Sequence, residues 1–210
     1  MLYIFDWDGT LSNSLGKIVT CTQLAAEEMG MEKPTDDAVK NIIGLSLPKA
    51  IDMVFPGITE SELKQLLEIY SKYFRADKAN EIDFYPGVRS TLDSLLNAGH
   101  HIAVATGKSR QGLDRVFTDL DMVDYFHGSR CADETKSKPH PLMLEELLDE
   151  FGVDAQDAVM IGDTEYDMDM AKQINMPRIA VSYGAHAIER LVPFEPVLCV
   201  DQIDQILEFK

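Results

Sequence analysis

Two rhythms of apolar residues divide this chain. Leu2, Tyr3, Ile4 and Phe5 form a short continuous apolar run, as a fully buried strand does, and it leads straight into Asp6, Asp8 and a Gly-Thr turn. From residue 14 to residue 90 the spacing is helical. Leu15, Ile18, Val19, Thr22, Ala25, Ala26 and Met29 fall on one face that Gly30 stops, and residues 36–43 and 47–55 read as shorter helices. Leu63, Leu66, Leu67, Tyr70, Tyr73 and Phe74 then make one apolar stripe, so this block predicts a small helical bundle. After Tyr85-Pro86-Gly87 the period changes. A helix to Gly99, a strand at 101–106, a helix at 108–120, a strand at 126–131 and a helix at 139–151 follow in turn. The strand at 158–163, a helix to Ile174, a strand at 179–183, a helix near 185–191 and a final strand and helix complete the alternation. Such alternation predicts an α/β fold, a doubly wound, Rossmann-like parallel sheet covered on both faces, with the first strand central. Residues 1–14 and 85–210 would form that core, and residues 15–84 a small all-helical insertion.

Side chains alternate along a strand, so Asp6 and Asp8 project one way and Trp7 the other. Like charges held that close need a cation between them or a shared proton. This invites a hard divalent metal, or a nucleophile beside a general acid, although an Asp-rich strand end before glycine is also ordinary turn chemistry. In open parallel sheets ligands bind beyond the carboxyl ends of the strands. Those ends carry Asp6 and Asp8, then Thr106-Gly107-Lys108-Ser109, then Gly162-Asp163-Thr164-Glu165-Tyr166-Asp167, while Lys136 and Lys138 precede Pro139 in another connection. A phosphate bound through Mg²⁺ needs this set: carboxylates for the metal, a hydroxyl and backbone N–H groups for the oxygens, and an ammonium as counter-charge.

Composition narrows the partners. The 210 residues carry a formal net charge of −17, which argues against binding nucleic acid or an anionic membrane through the general field of the protein. Any phosphate must be held locally, and Lys108, Arg110, Arg115, Arg130, Lys136 and Lys138 concentrate basic charge in one stretch. No apolar run reaches the roughly 18 residues of a membrane span. A strand opening at residue 2 predicts no cleaved leader, and three scattered cysteines predict reduced thiols, so a cytoplasmic location is expected.

FDWDGTL, ATGKS, KPHP and GDTEYD, in that order, resemble the four motifs of the haloacid dehalogenase superfamily in its phosphatase branch, among phosphoglycolate phosphatase-like and beta-phosphoglucomutase-like members. The resemblance covers nearly the whole chain and identifies the insertion with that family's helical cap. It implies that Asp6 is a nucleophile forming an aspartyl phosphate and that Asp8 protonates the leaving oxygen, then accepts a proton from water. It further implies that Thr106 and Lys138 hold phosphoryl oxygens, with backbone N–H groups around Trp7 and Gly107. Asp163 would bind Mg²⁺ with Asp6 and the carbonyl oxygen of Asp8, and Asp167 would act from behind or through water. An aspartate at position 8 favours a reaction that expels an ester oxygen. Asn13 stands where the family commonly carries aspartate, at the cap hinge. Gly44 and Lys49 sit where a cap loop could reach the site, with Lys49 reading an anionic tail or lying on a solvated helix.

The expected activity is Mg²⁺-dependent hydrolysis of a small phosphorylated metabolite by a monomer or homodimer. A sugar-phosphate mutase and a receiver-like phosphoacceptor module are the alternatives. ATGKS ends like a Walker A loop, but Ile102 occupies the position that needs glycine, and Met168 occupies the glycine position of an EF-hand loop. His100, His101 and His140 show no ligand spacing.

Overall fold

A computed structural model describes residues 1–76 and 84–209. Its centre is a six-stranded, all-parallel sheet in the order β3-β2-β1-β4-β5-β6, made of β1 (Leu2–Phe5), β2 (His101–Thr106), β3 (Gly128–Cys131), β4 (Ala158–Gly162), β5 (Arg178–Val181) and β6 (Leu198–Val200). The apolar run at the start of the chain is thus the third strand of six. Phe5 pairs with Val104 on one side and Ile161 on the other, which brings the carboxyl ends of β1, β2 and β4 together.

Alternation along these strands builds two cores. Tyr3, Phe5, Ile102, Val104, Val159 and Ile161 face one side, against α5 (Val88–Asn97) and α6 (Arg110–Asp119). Leu2, Ile4, Ala103, Ala105, Ala158 and Met160 face the other, against α7 (Leu142–Phe151) and α8 (Glu165–Gln173). Trp7 continues the first set. Its ring is buried edge-on among Phe84, Phe117 and Phe126, at centroid distances of 5.9, 5.6 and 6.1 Å.

The segment after β1 is helical: α1 (Leu15–Glu28), α2 (Asp36–Lys40), α3 (Leu47–Val54) and α4 (Glu60–Ala76). Cys21, Ala25, Ala26, Ile51, Phe55, Leu66 and Tyr70 form one cluster within this block; Ile18, Val19, Val39, Ile42, Ile43 and Leu45 belong to a second, where Tyr166 and Ala185 from the sheet side also pack. The end of the predicted insertion, at 77–83, lies outside the described residues.

Several expected elements come out shorter or tighter. α2 stops at Lys40 rather than residue 43, and the turns that follow carry Gly44, at φ +98°, toward the sheet. β3 begins at Gly128, because Phe126 turns into the core and a side chain at 128 would meet the Phe151 ring at 2.9 Å. The helix near 185–191 is the single turn α9 (Ile188–Leu191), and the final helix is a 3₁₀ segment, Ile203–Glu208.

Trp7 ties the carboxyl end of β1 to the helices of one face. Trp7→Ala should lower stability by about 3–5 kcal/mol through lost burial and a residual cavity. Equilibrium urea unfolding measures it, and a loss below about 1 kcal/mol would contradict this packing role.

Candidate active site

The strand ends place a cluster of ionisable groups almost entirely out of water. Asp6 directly follows β1, and its backbone N–H still donates to the Ile161 carbonyl at 2.9 Å, as if the ladder ran one residue further. Asp163 follows β4 in the same way. Asp167 lies in the first turn of α8, where its Oδ2 accepts from Thr164 N–H at 3.0 Å and Thr164 Oγ1 at 2.7 Å, closing a capping box. Thr164 and Asp167 thus cap α8, and Asp163 takes no part in the box. Asp163 accepts from Thr10 Oγ1 at 2.9 Å and Ala185 N–H at 2.7 Å.

Lys138 enters this cluster from the connection after β3. Its ammonium donates to Asp6 Oδ1 at 2.7 Å and Asp167 Oδ1 at 2.6 Å, and the side chain is fully buried. Lys136 is exposed and its Nζ lies 3.4 Å from His140 Nε2, so Lys138 is the lysine that reaches the strand ends. Asp6, Asp163 and Asp167 can each offer an oxygen within 4.8 Å of the others. Asp6 Oδ2 is buried and has no hydrogen-bond partner. A buried carboxylate oxygen without a donor is costly, and a hard cation is what would satisfy it in this donor set.

Burial holds the Asp6 pKa well above the ordinary carboxylate range; Lys138 opposes this, and the charges of Asp167 and Asp163 add to it. Asp163 is pushed up to about 7, first by burial and then by Asp167, against the hydrogen bonds from Ala185 and Thr10. Burial disfavours the Lys138 ammonium, yet Asp167 and Asp6 more than offset that and hold it above the usual lysine value. Excess negative charge therefore collects at this point, in a form that a cation would relieve.

Asp8 stands in different surroundings. It is only partly buried, its Oδ2 lies 2.8 Å from Lys108 Nζ, and its Oδ1 accepts from Ser14 Oγ at 2.5 Å. Ser14 occupies the N-cap of α1 but gives its hydroxyl to Asp8 rather than to the helix. Lys108 Nζ also lies 5.1 Å from the centroid of the Phe74 ring on α4, within cation–π range.

Asp6 and Asp8 line a cavity of about 980 Å³ between the sheet ends and the helical block, together with Gly44 and Gly107. Thr106 and Lys138 are fully buried beside it and do not line it; the Thr106 hydroxyl accepts from Lys108 N–H at 3.2 Å. Position 107 must be glycine, since a Cβ there would fall 2.6 Å from the Gly44 carbonyl oxygen and 2.5 Å from that of Leu45. Gly9, at φ +91°, similarly lets the chain pass Asp163, whose Oδ2 would lie 2.1 Å from a Cβ. Lys49 is engaged elsewhere. It is an exposed residue outside the cavity lining, and its ammonium donates to the Lys138 carbonyl at 3.4 Å. Asn13 lines the cavity mouth as an exposed side chain.

Sequence reasoning missed the groups that join the helical block to the sheet. The Asn41 carbonyl accepts from Tyr166 OH at 2.8 Å and faces His186 Nε2 at 3.2 Å. Glu165 N–H donates to His186 Nδ1, which leaves the proton of a neutral ring on Nε2, and burial lowers the pKa of this histidine. Ser46 N–H donates to Ser137 Oγ at 2.9 Å. Of these, only Tyr166 carried a signal, by lying in the loop after β4.

The family model for haloacid dehalogenase-like hydrolases matches residues 3–181. A protein of Dickeya dadantii described as "Probable phosphatase IndB" is 31% identical, over 98% of this chain and 91% of that one. The phosphoglycolate phosphatase of Nitrosococcus oceani is 26% identical, over 98% and 94%. Among solved structures, a "predicted phosphoglycolate phosphatase" of Haemophilus somnus superposes with a TM-score of 0.87 at 24% identity, covering 99% of this chain and 96% of the other. The beta-phosphoglucomutase of Clostridium difficile superposes with a TM-score of 0.82 at 22% identity, over 98% and 92%. At those identities the two structures speak for the fold alone.

Removing the Lys138 ammonium leaves two buried carboxylates without their common partner. Lys138→Met should cost about 3–5 kcal/mol in urea unfolding near neutral pH, and less in acid, where Asp6, whose pKa burial raises, takes up a proton. An equal loss at pH 4 and pH 7.5 would show that packing, not charge, is what Lys138 contributes.

Proposed function

Because the chain belongs to the haloacid dehalogenase-like hydrolases, in their phosphatase branch, we propose that it hydrolyses a small phosphorylated metabolite through an aspartyl phosphate on Asp6. The observation that carries this reading is the Asp6 carboxylate. One oxygen is held by Lys138, the other is buried with no partner, and the residue lines a cavity large enough for a metabolite. Relatives named as phosphoglycolate phosphatases support the reaction class.

Asp6, Asp163 and the backbone carbonyl of Asp8 would hold Mg²⁺, which supplies positive charge to the phosphoryl oxygens and quiets the repulsion among the carboxylates. An Asp6 oxygen attacks phosphorus as the bond to the leaving alcohol oxygen breaks, and Asp8 gives that oxygen a proton. Asp8, now ionised, takes a proton from water as its oxygen attacks the aspartyl phosphate, releasing inorganic phosphate and restoring Asp6. Lys138 favours the ionised form of Asp6 against its burial and orients it. The backbone at Gly107 forms the wall against which the phosphoryl group rests, with the buried Thr106 hydroxyl behind it holding the Lys108 N–H, and Asp167 acts through Lys138. Phosphoryl transfer is assisted mainly by position and electrostatics, so an acidic protein must supply its positive charge at this one point. The helical block 15–84 acts as the cap, excluding bulk water from the site. A cytoplasmic location fits this chemistry; among the described residues, no helix is long and apolar enough to cross a membrane.

Steady release of phosphate from p-nitrophenyl phosphate, with turnover continuing past one equivalent, is the expected result. EDTA and Asp6→Asn should each abolish it, and full activity in the Asp6→Asn protein would end this mechanism. Asp8→Asn should lower turnover at least 100-fold while Mg²⁺ binding, followed by the rise it causes in Tm, is kept. Unchanged turnover would remove Asp8 as the acid/base.

A further inference from the structure

The cavity above Asp6 is built of two unlike walls. The sheet side presents Asp8, Lys108, Ser109 and Gln111, all of which can hydrogen-bond. The opposite wall, from the helical block, presents Ile18, Ile42, Ile43, Leu67, Tyr70 and Phe74. Tyr70 and Phe74 stack at 5.6 Å with their planes 23° apart, one helical turn along α4. Such a wall offers a broad apolar surface to whatever the phosphate is attached to. At about 980 Å³ the space stands near the top of the ~300–1,000 Å³ range of sites that bury drug-sized ligands.

A small phosphorylated acid needs a second cation opposite the phosphoryl site. Among the described residues, four cations line the cavity, Lys17 and Arg75 from the helical block and Lys108 and Arg115 from the sheet side, and each is already engaged. Lys17 Nζ rests 4.8 Å from the Phe74 centroid, Arg75 Nε donates to the Ser71 carbonyl at 3.0 Å, Lys108 pairs with Asp8 at 2.8 Å and Arg115 with Asp119 at 3.5 Å, while Lys49 lies outside the lining. A short acid would have to draw one of them from its partner, whereas the aliphatic and aromatic part of the block wall already faces the cavity. A polyhydroxylated sugar would fare no better, since its hydroxyls would face aliphatic carbon and lose their water without replacement.

Resting on the phosphatase reading, we propose that the preferred substrate is a phosphomonoester of an alcohol that carries a flat, largely apolar ring, with the ring packed on the Phe74 and Leu67 side of the cavity. Phe74 is then the specificity residue. It is partly buried, packs on Tyr70 and the core of the block, and still lines the cavity, with the ammonium groups of Lys17 and Lys108 4.8 and 5.1 Å from its centroid. A ring seated there is shielded from water by aliphatic neighbours, and its phosphate extends toward Asp6.

The test separates binding from turnover. Asp6→Asn protein with Mg²⁺ is titrated calorimetrically with benzyl phosphate, glucose 6-phosphate and 2-phosphoglycolate. Benzyl phosphate should bind at least tenfold more tightly than either of the others, a difference of ~1.4 kcal/mol. Adding Phe74→Ala should shrink that preference about tenfold, and Phe74→Leu, which keeps apolar bulk without the ring, should shrink it less. Equal or weaker binding of benzyl phosphate, no binding of any of the three, or an undiminished preference in folded Phe74→Ala protein overturns the proposal. Wild-type hydrolysis of p-nitrophenyl phosphate, run alongside, identifies which idea has failed. Hydrolysis with 2-phosphoglycolate bound best keeps the phosphatase and removes the ring; no hydrolysis with benzyl phosphate bound best does the reverse.

Discussion

The arrangement depends on one buried ammonium among three buried carboxylates. Lys138 can neutralise only part of the charge of Asp6, Asp163 and Asp167, and it touches two of them directly. A fully apolar replacement would be the easier way to fill this space, since buried ion pairs repay their desolvation poorly. What the polar version provides is an unfinished site. Every oxygen of Asp163 and Asp167 has a donor or an ammonium, while Asp6 Oδ2 has neither. The residual demand for positive charge is thus focused on the one of these three carboxylates that lines the cavity.

That focus is a product of strand order. With β1 between β2 and β4, the first residue beyond each strand falls at the same edge of the sheet, and the connection after β3 needs only to return across it to deliver Lys138. The helical block then closes over this edge through backbone groups. The Gly44 and Leu45 carbonyls lie against Gly107, and the Asn41 carbonyl lies against Tyr166 and His186. Contacts of this kind rely little on side-chain identity on the block's side. Its inward side chains are left to shape the cavity wall.

Much of this was legible in the sequence because it follows from period and position. The run at Leu2–Phe5, the strand at His101–Thr106 and the polar residues just past each strand needed only alternation and the rule that ligands collect at carboxyl ends. The stripe from Leu63 to Phe74 announced a packed helix, and α4 is one. What was not legible depends on the pose of one block against the other. Local propensity would continue α2 to residue 43, but the approach of Gly44 and Leu45 to Gly107 replaces the last turn. Lys108 read as one more basic residue in a basic stretch, and only the fold sets it on Asp8. His186 carried no signal in the sequence because its partners, Asn41 and Glu165, come from two distant parts of the chain. The hydrogen bond of Lys49 was hidden for the same reason, its acceptor being a backbone carbonyl of the core.

The two aspartates at the end of β1 show how environment divides identical side chains. Both follow the same strand and both line the cavity, yet Asp6 is fully buried against a lysine shared with Asp167, whereas Asp8 keeps a small part of its surface, 13% of the side chain, accessible between a lysine and a serine hydroxyl. Fixed on one oxygen and bare on the other, Asp6 has little freedom except to bond to something that enters the cavity. Asp8 meets solvent, and its partners, Lys108 and Ser14, both donate hydrogen bonds that a carboxylate can release as it takes up a proton. A nucleophile needs a fixed lone pair and a proton carrier needs reversible partners. On the proposed mechanism the alternation of a single strand, with Trp7 anchoring the residue between them, is sufficient to give each aspartate the surroundings its task requires.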